Sequence, residues 1–186
     1  MTAMTAAHPY FYFSFESPES YLAAERVLRV IDGPCEWVPV RPQQSEWVFR
    51  CAEEQEIAER GVEMTAAERA MQPMRWPPAF DQERALLAAT YAKSIGRTVS
   101  FALAALRQAY AGGADLGSDE TILIAAAACE MHPRAVLQAL ERPTVARMLD
   151  EASAEAAGRG VTTTPTVWQP DGTVLVGDAE LGEERE

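Results

Sequence analysis

Cysteine is scarce in this chain and poorly placed for redox chemistry. The three thiols, Cys35, Cys51 and Cys129, are odd in number and far apart in sequence. That pattern argues against a disulfide framework, a Cys-X-X-Cys redox pair and a zinc cluster. Cys129, inside ILIAAAACEM, reads as a small core residue, while Cys35 and Cys51 are either unexceptional thiols or a pair that meets in space. Histidine is nearly missing as well. His8 and His132 have no acidic or cysteine companions at ligand spacing, so surface or helix-capping roles are expected for them, with no metal site and no Ser-His dyad.

Positive charge is also short. Sixteen Lys and Arg face 28 Asp and Glu, for a net charge of -12, and no basic block interrupts the acidity. A nucleic-acid or anionic-membrane surface is therefore not expected. No apolar run reaches the length of about 18 residues that a spanning helix needs. The start, MTAMTAAHPY, lacks the basic and apolar regions of a secretory signal, so a short loose tail and a cytoplasmic protein are expected. No repeat or low-complexity tract is present. With 186 residues, 48% of them hydrophobic, the chain suits one domain or one domain carrying an insertion.

Order along the chain is β-α-β, then helices, then a hairpin. His8 to Phe15 is dense in Tyr and Phe without helical spacing, which predicts a strand. Ser17 then offers an N-cap, Pro18 suits the first helical position and Glu19 complements the positive helix end. Ala24, Val27, Leu28 and Ile31 recur at helical spacing until Asp32-Gly33-Pro34 ends the run. Cys35 to Val40 predicts a second strand, parallel to the first.

From about Arg50 to Leu149 the chain is Ala-rich and helical in period. Thr65 to Glu68 has a capping-box pattern, and RWPPAF (75–80) is a rigid aromatic break. Helices are expected over 82–95, 98–110, 118–131, 133–141 and 145–157, with Met64, Met71 and Met74 filling gaps between them. Trp76 and Phe80 either wall a pocket or plug the helices against a sheet. Thr166 to Trp168 and Thr173 to Val176 flank Gln169-Pro170-Asp171-Gly172, a hairpin turn, before a possible stub of helix and a short acidic tail.

FYFSFESPESYLA, the proline in GVTTTPTVW (160–168) and the helical block between them resemble the DsbA-like branch of the thioredoxin fold. Within that branch the chain is most similar to 2-hydroxychromene-2-carboxylate isomerases and kappa-class glutathione transferases, which carry a Ser-Pro-X-Ser-Tyr type of junction where dithiol enzymes have Cys-X-X-Cys. The resemblance implies an α/β thioredoxin-like domain over 1–49 and 150–186 and an all-helical insertion over 50–149. It makes Ser17 the residue that hydrogen-bonds the thiol of glutathione, Pro165 the cis-proline, and Thr164 the residue whose backbone pairs with the cysteinyl unit. Gly177 and Asp178 hold the loop that meets the γ-glutamyl group. That loop, Val176-Gly177-Asp178-Ala179-Glu180, lacks the Trp and Arg usual in relatives, and the Asn and Lys that several of them place in the insertion have no counterpart. Ser20 and Trp76 become candidate pocket walls, and a homodimer is implied.

An anion is favoured at a helix N-terminus. With serine there, the implied anion is the sulfur of a bound low-molecular-weight thiol, glutathione or an equivalent, whose addition to a small aromatic or conjugated electrophile gives isomerase or transferase chemistry. On the residues alone Ser17 equally caps its helix. A thiol- or peptide-binding protein without catalysis is the second expectation, carried by the altered loop. Ser17 and Ser20 cannot form a disulfide, which speaks against a dithiol oxidoreductase.

Overall fold

The computed structural model describes residues 8–45 and 47–182. Most of the loose amino-terminal tail and the end of the acidic carboxyl-terminal tail expected from the sequence lie outside them. Strand β1 (Tyr10–Phe13) runs through Ser14–Ser17 into α1 (Pro18–Ala24), followed by a short α2 (Val27–Val30) and β2 (Glu36–Pro39). Six helices follow: α3 (Ala52–Glu68), α4 (Glu83–Ser94), α5 (Thr98–Tyr110), α6 (Asp119–Ala128), α7 (Pro133–Leu140) and α8 (Pro143–Gly158). Strands β3 (Thr166–Trp168) and β4 (Val174–Val176) and a 3-10 turn (Ala179–Leu181) complete the described chain.

The sheet order is β2-β1-β3-β4, with β1 and β2 parallel and the other pairs antiparallel. Alternation along the strands sorts the side chains onto two faces. Phe11, Phe13 and Trp37 enter a large core shared with α1, α4, α5, α6, α7 and α8. Tyr12, Val38 and Val40 face the other way, against Ala156 of α8 and Val161. A smaller cluster of Leu22, Val62 and Ala66, flanked by Trp47 and Trp76, seats α3 on α1. Cys129 is a core residue, as expected, and all three thiols are free, so Cys35 and Cys51 do not pair.

Four local expectations differ from the structure. The helix expected over 21–31 breaks after Ala24: Arg26 has a non-helical φ of -131°, and its side chain reaches Asp178, far along the chain. Leu28, expected on its apolar face, is exposed. The Thr65–Glu68 pattern caps nothing: it lies inside α3, where the Thr65 hydroxyl donates to the Gly61 carbonyl. Met64 is 63% exposed and fills no gap, whereas Met71 and Met74 do pack against the core.

Candidate functional site

The junction between β1 and α1 is held from three directions. Gln82, at the start of α4, accepts from the backbone N–H groups of Phe15 (2.8 Å) and Glu16 (3.2 Å) through Oε1. Tyr110, at the end of α5, donates its hydroxyl to the Phe15 carbonyl at 2.8 Å. Ser14 shares a 2.6 Å hydrogen bond with Thr164. All of these groups are buried or partly buried, so the backbone leading into Ser17 is fixed by polar partners that replace water.

Ser17 is the N-cap of α1, with extended backbone, and Pro18 occupies the first helical position. Its hydroxyl accepts from the Ser20 N–H at 3.4 Å. That contact uses Ser17 as an acceptor only, which leaves its O–H able to donate. Ser20 is fully buried in α1, and its hydroxyl has no partner among the described residues.

The opposite side of the site comes from the end of the chain. The Thr164–Pro165 bond is cis, as expected. The Pro165 carbonyl accepts from the Gly177 N–H at 2.8 Å. Gly177 has φ +76°, and a Cβ there would lie 3.0 Å from Glu19 Oε2, so glycine meets both the backbone conformation and the close approach. Glu19 Oε2 also accepts from the Asp178 N–H at 3.3 Å. Asp178 itself is 4% exposed. Its carboxylate takes Arg26 Nε at 2.9 Å and Arg69 at 3.0 and 2.6 Å, and its carbonyl takes Arg26 Nη2 at 2.6 Å.

Three spaces meet at this junction. Ser17 and Thr164 line a narrow cleft of about 10 Å³ with Ser14, Gln82 and Trp47. Beside it, Ser17, Glu19, Trp47, Phe49 and Ala58 bound a space of about 250 Å³. A larger cavity of about 300 Å³ is walled by Trp47, Phe49, Trp76, Phe80 and Tyr110, with Glu16 and Glu59. Trp47 borders all three, and Glu16 borders both the cleft and the large cavity. The rings form one cluster. Trp47 stacks on Trp76 at 5.7 Å and 11°, Phe49 meets Trp47 edge-on at 4.9 Å, and Tyr110 meets Trp76 edge-on at 6.3 Å. These are favourable aromatic geometries. Burial pushes the Glu16 carboxyl above its ordinary value; a hydrogen bond involving the Gln82 backbone opposes the shift and the charge of Asp81 adds to it.

Ser17, Thr164 and Pro165 thus come together from the two ends of the chain, and the backbone of Gly177 is tied to Pro165. The Asp178 carboxylate points to arginines. Trp76 lines the large cavity and also packs against the core, as Phe80 does, so both roles left open for that segment are filled at once. Ser20 lines none of the three spaces. Sequence reasoning missed Glu16, Trp47, Phe49, Gln82 and Tyr110. One signal was available for two of them: Trp47 and Phe49 are large aromatic side chains in a stretch with neither helical nor strand periodicity.

A four-stranded mixed sheet, a helical block between its halves and a cis-proline beside a helix N-cap define a thioredoxin-like domain. The chain belongs to the DSBA-like thioredoxin domain family, whose model matches residues 10–182. Among solved structures it is similar to a 2-hydroxychromene-2-carboxylate isomerase, with 16% identity and a TM-score of 0.80 over 93% of this chain and 90% of that one. It is similar also to the cytosolic disulfide reductase DsbM from Pseudomonas aeruginosa, with 12% identity and a TM-score of 0.63 over 89% and 86% of the two chains. SrgA from Salmonella enterica serovar Typhimurium aligns with 14% identity and a TM-score of 0.54 over 94% and 81%. No curated protein matches the sequence. At these identities the likeness is one of fold. No helix among the described residues is long and apolar enough to cross a membrane.

Proposed function

We propose that this protein is a thiol-dependent isomerase or transferase acting on a small aromatic or conjugated electrophile, with Ser17 activating a bound low-molecular-weight thiol, glutathione or an equivalent. The observation that carries the reading is the shared cleft: Ser17, with a hydroxyl able to donate, and Thr164, next to cis-Pro165, line the same narrow space. Serine stands at both motif positions and no cysteine lines the cleft or the two spaces beside it, so in this reading the reactive sulfur is supplied from outside the protein.

The residues present fit a thiol at the Ser17 end. The space of about 250 Å³ beside Ser17 opens next to the cleft. At the far end Asp178 does not offer its carboxylate to a γ-glutamyl ammonium, because Arg26 and Arg69 occupy it. Specificity for glutathione over other thiols is therefore not built at that loop. A bound thiolate supplies a nucleophilic sulfur that adds to an electrophilic carbon: it stays as a thioether when the resulting carbanion takes up a proton or a leaving group such as chloride departs, or it leaves again after bond rotation and restores the double bond. The chain's own contributions are fixed groups. The Ser17 hydroxyl donates toward the sulfur and favours its anionic form. The Ser14–Thr164 hydrogen bond holds the peptide beside it, and Trp47 with Phe49 borders both the space beside Ser17 and the aromatic cavity, so a thiol at Ser17 and an electrophile among the rings are neighbours.

Thermal unfolding with and without glutathione tests this. At ten times its Kd a thiol ligand stabilises by about 1.4 kcal/mol, a rise of about 3–6 °C for a domain of this size. Ser17→Ala is expected to lose that rise and to cost about 1 kcal/mol as a cap. No shift with glutathione or any other cellular thiol sinks the reading. Turnover of chlorodinitrobenzene by the wild type but not by Ser17→Ala supports catalysis. A thiol shift without turnover of any electrophile favours instead the binding protein without catalysis.

A further inference from the structure

We propose that the cavity walled by Trp47, Phe49, Trp76 and Tyr110 selects planar aromatic cations, with Glu16 and Glu59 as its specificity residues. The inference rests on the proposed function for its assignment of this cavity to the electrophile. The charge selectivity itself is read from the wall.

A volume of about 300 Å³ is at the lower end of the range for small-molecule sites. Stacked and edge-on rings give the wall flat, polarizable faces on which another ring can lie. The faces of tryptophan and tyrosine carry negative potential and attract cations, tryptophan most strongly. Among the described residues, the charged side chains of the wall are Glu16 and Glu59, both carboxylates. Two more acids lie near them. Glu63 accepts the Trp76 indole N–H at 2.8 Å, which places a further carboxylate against that ring. The charged group acting on Glu16 is Asp81, another acid. Arg75, the neighbour of Trp76 in sequence, is exposed and is not part of the wall.

These features work in one direction. An aromatic cation gains from ring faces and carboxylates together. An aromatic carboxylate of the same shape keeps the stacking but meets two acids in a partly enclosed space, where their field is less screened than in water. The net charge of -12 adds a long-range potential that steers cations toward the protein and anions away. An anionic substrate such as a chromene carboxylate is therefore disfavoured here.

The test uses three probes of nearly one shape, N-methylquinolinium, 1-methylnaphthalene and 1-naphthoate, titrated calorimetrically into the wild type, Glu59→Gln and Glu16→Gln/Glu59→Gln. The cation is expected to bind at least about tenfold more tightly than naphthoate. The double variant is expected to reduce that ratio to about threefold or less and to leave methylnaphthalene within about twofold. Glu59→Gln, on the half-buried rim, gives an intermediate ratio and keeps the test usable if the double variant unfolds. Naphthoate binding as tightly as the cation, no cation binding at millimolar concentration, or a ratio unmoved by the substitutions overturns the proposal. Glutathione melting shifts on the same samples separate the two readings. A shift without cation preference removes this inference alone, and cation preference without a shift removes the thiol reading alone.

Discussion

Replacing Asp178 by alanine should destabilise the protein as the loss of a buried ion-pair partner does, rather than as the loss of a ligand contact does. The Asp178 and Arg26 side chains are 6% and 5% exposed, while Arg69 is 27% exposed. Without the carboxylate, the partners of the buried Arg26 guanidinium among the described residues are two carbonyls, those of residue 178 and Gly182. Breaking a buried pair from one side costs about 3–5 kcal/mol, although a well-packed apolar replacement of the whole pair can be neutral. Arg69 turns to water, so its share is small. At roughly 2–4 °C per kcal/mol for a domain of this size, the midpoint falls by about 6–20 °C. Urea unfolding checks the value, with an unchanged m-value showing that only stability moved. Asp178→Asn should recover part of the loss, because an amide oxygen still accepts from Arg26 Nε, and the folded Asp178→Asn protein should keep its glutathione melting shift. A loss below about 1 kcal/mol, the size expected for an exposed pair such as Arg147 with Glu151 at 3.8 Å, refutes the reasoning.

Gln82→Leu removes the acceptor of two backbone N–H groups just before Ser17. It should cost about 1–3 kcal/mol by thermal unfolding, while Gln82→Glu, which keeps an acceptor oxygen, should cost less; equal losses would place the effect in packing instead. Glu16 makes a prediction about pH. Burial raises its folded-state pKa above the ordinary 4.5, so its contribution to stability is fully present below the unfolded value and is lost as pH rises through the folded one. The stability of Glu16→Gln relative to wild type should therefore be greater at pH 7 than at pH 3.5, and a flat or reversed difference between paired unfolding curves contradicts the shift.

Local sequence carried much of the fold because local chemistry decides most element ends. Pro18, Pro133 and Pro143 stand at the first helical positions of α1, α7 and α8, and Gly96 and Gly112-Gly113 follow the ends of α4 and α5. Asp171 and Gly172 make the hairpin turn, with the Thr173 N–H donating to the Asp171 carboxylate at 2.8 Å and Gly172 at φ +90°. Expectation and structure part where the local pattern does not carry the context. Arg26 is non-helical and its side chain reaches Asp178, and the helix breaks although its apolar spacing continues to Ile31. Leu28 and Met64 show the limit of periodicity itself, which tells which residues share a helix face but not whether another element covers it.

The candidate site divides along the same line. Ser17 was legible as a cap because it belongs to a short motif at an element boundary, and Trp76 because it interrupts two helices with prolines beside it, whereas Thr164 and Pro165 were reached only through the family resemblance. Gln82 and Tyr110 were not legible, because nothing near either residue in sequence shows that it will hold the backbone of Phe15 and Glu16. Glu16 was passed over for a related reason: beside a serine motif it reads as a variable neighbour, and its meaning depends on the Trp47–Trp76 wall built from elsewhere. The loop that did draw notice, Val176–Glu180, proves to be tied into the interior through Asp178, Arg26 and Arg69. A chain in which that loop's carboxylate is committed to structure must draw its ligand selectivity from other groups. Glu16, Ser45 and Trp47 border both Ser17's cleft and the aromatic cavity; the acid and the ring among them are the groups on which the proposed preference for a flat, positively charged electrophile beside an externally supplied sulfur rests.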